Sequence, residues 1–180
     1  MARNYAESTR QRIADLTLGI QVSTTDGVLV AANFTATAQT ELFNIYGRIA
    51  VTELFIELTS AADANATLVM FNVTYTTPVI ALNAMCGNSA SIASLGAYGR
   101  ITYVGGIVAT AAVITDSAGL TDVETAGKKA ILGGRSAAGV NTIGTIGMLA
   151  GTATQAATIS ATAHLFYIPM GPGCYAKAAL

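Results

Sequence analysis

His164 is the only histidine in the 180-residue chain, so any triad or dyad built on imidazole would have to use it. It lies in Thr158-Ile159-Ser160-Ala161-Thr162-Ala163-His164-Leu165-Phe166. The alternation puts it on one strand face with Thr158, Ser160 and Thr162, which is how a polar, solvent-facing position reads. The nearest approach to a nucleophile elbow, Gly87-Asn88-Ser89-Ala90-Ser91, lacks the second glycine that the sharp turn needs. Cys86 and Cys174 show no metal-ligand spacing, and nothing in the sequence places either beside His164; two cysteines are too few for a disulfide framework, and they read as free buried thiols ahead of a single bridge. A phosphate cradle fails as well. Gly139-Val-Asn-Thr-Ile-Gly144 has the glycine spacing, but Thr145 stands where the phosphate-binding lysine must be. Gly144, Gly147 and Gly151 miss the dinucleotide fingerprint. Glu53 and Glu57 on a strand would share a face about 13 Å apart, too far to hold one ion. These residues predict no catalytic site, no metal and no cofactor, and hence a protein that is not an enzyme.

The elements around these residues are set by an unusual composition: 52% hydrophobic and 11% charged, with no tryptophan. Nine basic and ten acidic side chains leave a net charge of −1, which offers no field to neutralise phosphates and disfavours nucleic acid as a partner. Residues 64–99 and 136–176 contain no Asp, Glu, Lys or Arg. Asn, Thr, Ser and Gly interrupt both stretches, so neither supplies the ~20 apolar residues in a row of a membrane span. Little charge keeps copies of such a chain apart, and life inside an assembly is the first expectation. The N-terminus carries charge at Arg3, Glu7, Arg10, Arg12 and Asp15 with no apolar core, which argues against a signal peptide and for folding in a cytoplasm.

Residues 1–15 read as an arm, extended or short-helical, that orders against a neighbour, ahead of a frayed terminus. One β domain, 16–180, follows. From Leu16 the apolar period is two, and Asp26-Gly27 reads as a hairpin turn between Leu16–Val22 and Val28–Val30. Phe34 to Ala38 reads as extended. Leu42 to Thr59 is the most regular stretch, with a change of face at Thr52-Glu53 that predicts a bulge or a crossing between sheets. Further strands are expected at Leu68–Tyr75, Val79–Leu82, Ser91–Leu95, Tyr98–Val104, Ile107–Ile114, Val123–Thr125 and Ala157–Ile168. Pro78 should bring its strand to an edge or an end. The Gly-rich stretch 127–151 reads as an insertion outside the strand ladder: a surface loop, then one packed under a neighbour, and last one held by a bound ligand. Many short strands divided by Gly, Asn, Asp and Ser predict an all-β, antiparallel β-sandwich, jelly-roll-like at this length.

The segment Glu41-Leu-Phe-Asn-Ile-Tyr-Gly-Arg48-Ile-Ala-Val-Thr52-Glu-Leu54 resembles a pattern in small structural virion proteins of tailed bacteriophages, most closely head decoration (cement) proteins. The resemblance continues at Thr59 to Leu68, at Leu95 to Gly105 and in the closing stretch Ala161-Thr-Ala-His-Leu-Phe-Tyr167-Ile-Pro169-Met-Gly-Pro-Gly173. It omits the arm and residues 128–151. The resemblance implies a virion protein made in the host cytoplasm that sits on the outer capsid surface and braces neighbouring capsid subunits. It implies two partners, the major capsid protein and further copies of the chain, with a trimer ahead of a dimer. Position and side-chain type make Tyr5, Arg10, Arg12 and Ile13 on the arm, and Tyr175 and Lys177 on the tail, the candidate contacts. A phage tail or fibre receptor-binding module is the main alternative. A small carbohydrate-active enzyme stands further back.

Overall fold

The computed structural model describes residues 19–35, 38–65, 67–77, 79–103, 113–115, 130–134, 140–150 and 159–180. The arm, with Tyr5, Arg10, Arg12 and Ile13, lies outside them. Twelve strands are placed: β1 Ile20–Ser23, β2 Leu29–Val30, β3 Thr40–Tyr46, β4 Ile49–Ser60, β5 Val69–Thr77, β6 Val79–Ala84, β7 Arg100–Thr102, β8 Val113–Thr115, β9 Ala130–Leu132, β10 Ile143–Ala150, β11 Ser160–Pro169 and β12 Tyr175–Ala178. They form two antiparallel sheets in a sandwich-like arrangement. One runs β1-β11-β4-β7-β8, with β2 also on β11 and β9 also on β4; the other runs β12-β3-β10-β5-β6. The all-β expectation holds. Among the described residues no helix is long and apolar enough to cross a membrane.

The core follows from side-chain alternation, because every second residue of a strand points between the sheets. Phe43 and Ile45 of β3, Phe71 of β5, Ile146 of β10, Leu165 of β11 and Ile101 of β7 are all fully buried there. In β4 the extra residue is Thr52: Phe166 of β11 pairs with Glu53, but Tyr167 pairs with Val51. This bulge lets Ile49 and Val51 on one side of it, and Leu54, Ile56 and Leu58 on the other, all reach the core. The crossing between sheets lies elsewhere, at Gly47-Arg48 between β3 and β4. Gly47 has φ +73°, and a Cβ there would lie 2.5 Å from the Cys174 Sγ, so the corner requires glycine.

Four sequence expectations are corrected. Asp26-Gly27 closes no hairpin. β1 and β2 pair in turn along the same strand, Ser23 with His164 and Leu29 with Ala161. Residues 24–28 are thus an excursion within one edge lane of the sheet. It is held by one backbone bond, Thr24 N–H to the Ala163 carbonyl (3.0 Å), and by side-chain bonds, with Ala163 N–H donating to Thr24 Oγ1 (3.0 Å) and Gly27 N–H to Thr162 Oγ1 (2.9 Å). Phe34 is not in a strand: it follows a 3-10 turn over Ala31–Asn33 and is fully buried. Ser91–Leu95 is a turn too, with Ser94 at φ +60°, and its apolar Ile92 and Leu95 plug the core from outside the ladder.

The Gly-rich stretch holds the fourth correction. Its second half is β10, the central strand of the five-stranded sheet, paired with β3 and β5. Its glycines belong there because neighbouring side chains lie across the strand: Tyr75 over Gly144, and Gln39 over Gly147. β9 pairs with β4. Of the other expected strands, 107–112, 123–125 and 157–158 fall outside the described residues.

Candidate interaction surface

Tyr175 and Lys177 lie on β12, the edge strand of the five-stranded sheet, and alternation turns both to its outer face, away from the core. Cross-strand register carries two rows across that face. Tyr175 is opposite Tyr46 on β3, which is opposite Ile143 on β10. Lys177 is opposite Asn44, then Thr145, then Thr74 on β5. The two tyrosine rings stack with centroids 4.5 Å apart and planes 17° off parallel. Lys177 Nζ lies 5.6 Å from the centre of the Tyr46 ring, within cation–π range. In the second row Thr145 Oγ1 donates to Asn44 Oδ1 (3.3 Å), and Thr74 Oγ1 donates to Gln39 Oε1 (3.0 Å). The result is a tyrosine pair with a cation at its side and an aliphatic neighbour, Ile143 being 39% and Tyr175 45% exposed. Stacked rings lose little side-chain freedom on contact, which suits them to anchor a partner.

The first row ends near the sheet corner. There the Cys174 Sγ accepts the Arg48 backbone N–H at 3.2 Å. An open groove of about 760 Å³ lies beside it, bounded by Arg48, Asn141, Ile131 and Met170. Cys86 is buried, with the Phe71 N–H donating to its sulfur at 3.4 Å, and neither cysteine is in a disulfide. Gly133 N–H donates to the Tyr75 hydroxyl (2.9 Å), which ties the end of β9 to β5. Burial pushes the Tyr75 hydroxyl's pKa up against the smaller opposing effect of that hydrogen bond.

The outer face of the larger sheet differs in kind. One row, Ile131–Ala50–Ile168, is apolar. Another sets His164 against Phe55, with ring centroids 4.7 Å apart, while Phe166 stacks at 6.4 Å and the Arg100 guanidinium lies 4.8 Å over the Phe55 ring. Arg100 pairs with Glu57 at 2.7 Å. His164 is therefore half-buried in an aromatic and charged cluster, where alternation alone suggested an open polar position. Among the described residues no group of three His, Cys, Asp or Glu could hold a metal ion.

No family model, curated protein or solved structure matches the chain. The surfaces must be read from their own chemistry. Of the candidate residues, Tyr175 and Lys177 are brought together around Tyr46, and the four arm residues lie outside the described chain. Tyr46 and Ile143 were missed as surface residues. Tyr46 reads as one more apolar position before Gly47, and Ile143 sits in a stretch whose glycines mask its period. The signal was present in Ile146, Met148 and Ala150, which alternate across β10.

Proposed function

We propose that the chain is a structural virion protein that binds the outer surface of an assembled phage capsid as a homo-oligomer, trimer ahead of dimer, and stabilises the shell by bridging neighbouring capsid subunits. The finer architecture that goes with this reading is a jelly roll. The observation that carries it is the Tyr46–Tyr175 stack with Lys177 and Ile143: an aromatic patch on an exposed sheet face. Such a patch supports protein contact, because its burial removes apolar area from water while the lysine finds polar partners at the rim. Long stretches without charge support close packing among many copies. Binding the assembled shell and not the free subunit raises shell stability by linkage at every filled site. Several contacts through one oligomer make release slow.

The test is binding of purified protein to capsid shells that lack it. Tyr175→Ala, with Lys177→Ala beside it, should weaken retention on shells by about tenfold or more for the tyrosine and by less for the rim lysine. Circular dichroism should show the fold unchanged, since both side chains are exposed. Wild-type retention by both variants would remove this face from the contact.

A further inference from the structure

The large apolar side chains left exposed gather toward the two ends of the sandwich, and the ends differ in shape and charge. The corner end, where Gly47-Arg48 leads from β3 into β4, holds the open groove of about 760 Å³. Ile131 and Met170 line it and are 51% and 46% exposed. Arg48 and Asn141 supply polar groups, and among the described residues no carboxylate lines it. Val140, exposed as well, precedes Asn141 at the rim. This end is concave, apolar along its walls and positive.

At the opposite end Tyr98 projects, 71% exposed, with φ +65°. That left-handed backbone is unfavourable for an L-residue with a large side chain. Two backbone bonds impose it: Tyr98 N–H donates to the Leu58 carbonyl (2.7 Å) and Leu58 N–H to the Gly99 carbonyl (3.0 Å). The ring gains almost no burial in return, so packing within one chain does not account for a tyrosine here. Strain of this kind collects where a protein meets something else. Ser94 N–H donates to the Asp63 carbonyl (2.7 Å), which brings Asp63 to the same end, and Glu41 is exposed at the start of β3. Val30, opposite Ser160, adds exposed apolar surface. This end is a knob with negative charge around it.

We propose that the two ends fit each other: Tyr98 of one copy of the chain seats in the corner groove of the next. The ring packs on Ile131 and Met170, with the Arg48 guanidinium available to its face and Asn141 to its hydroxyl. Arg48 also meets the negative charge around the knob. The occupant must be a second molecule. From Ile49 at the groove to Leu58 at the knob, β4 covers about 30 Å at ~3.3 Å per residue, so Tyr98 cannot enter its own groove. A knob meeting a groove is a heterologous contact, which leaves one free end on each side until a ring closes. Three copies make the smallest such ring, and a twofold dimer is excluded. The contact joins copies of this chain whether or not they sit on a capsid.

Analytical ultracentrifugation of the purified full chain, without shells, tests the contact. The wild type should sediment as three or more copies, and Tyr98→Gly and Arg48→Glu should each fall to monomers. Circular dichroism should show both variants folded, since both side chains are exposed. Tyr98→Gly keeps the groove and Arg48→Glu keeps the knob, so an equal mixture of the two should give one-to-one dimers and nothing larger. A wild type that is monomeric or stops at two copies overturns the contact. So does a variant that assembles like the wild type, or a mixture that stays monomeric. Assembly here without retention on shells would support the contact and count against the capsid reading; retention on shells by a monomeric wild type would do the reverse.

Discussion

Phe71→Ala should destabilise the fold by about 3–5 kcal/mol, measured by chemical denaturation at neutral pH. Phe71 is fully buried on β5 and meets Tyr103 edge-to-face, with centroids 6.3 Å apart and planes at 80°. Its truncation removes a whole ring from the space between the sheets. The surrounding side chains sit on ladders that cannot close inward, so the cavity persists. Against a total of about 5–15 kcal/mol for a typical domain, the variant should unfold at a much lower denaturant concentration and yield less soluble protein. A loss under about 1 kcal/mol would be that of a surface position and would contradict the core described here.

Gly133→Ala should be nearly as damaging, for a different reason. Gly133 has φ +72°, and a Cβ at that position would run into the carbonyl of Gly47 at the corner between β3 and β4. The left-handed backbone alone costs an L-residue roughly 1–2 kcal/mol, and a clash with backbone cannot be relieved by a rotamer change. At least about 2 kcal/mol should be lost, with the Gly133 bond to the Tyr75 hydroxyl weakened as well. The neighbouring Gly134→Ala is the control. Its Cβ meets nothing nearer than the Thr142 hydroxyl oxygen at 3.8 Å, so its stability should stay within about 1 kcal/mol of wild type. Denaturation midpoints for the pair settle the matter: equal effects would mean that the corner is not where the two sheets are locked together.

The fold was legible where one residue's alternation carried one strand's burial. The bulge at Thr52 could be read because Val51 and Leu54 break an otherwise strict period. Connections were less legible. Asp-Gly signals a tight turn, yet whether that turn closes a hairpin depends on which strand lies alongside. Here β11, about 130–150 positions later in the chain, takes both β1 and β2. Gly144 and Gly147 looked like breakers because their role is tertiary, making room for Tyr75 and Gln39. The surface patch was half legible. Tyr175 and Lys177 could be chosen by type and place, but the Tyr46 ring that joins them becomes a neighbour only through the β3–β12 register. His164 was read as a polar strand position, since nothing in its own segment foretells Phe55 or Ser23.

The proposed function rests on the chain being a lattice component of a particle. The measurement that tests this most directly is quantitative mass spectrometry of purified particles from the source, as a molar ratio to the major capsid protein. A symmetric oligomer seated on the shell lattice should give a ratio of about one-third to one. A few copies per particle would point to a tail or fibre component, and absence from particles would contradict the virion reading altogether.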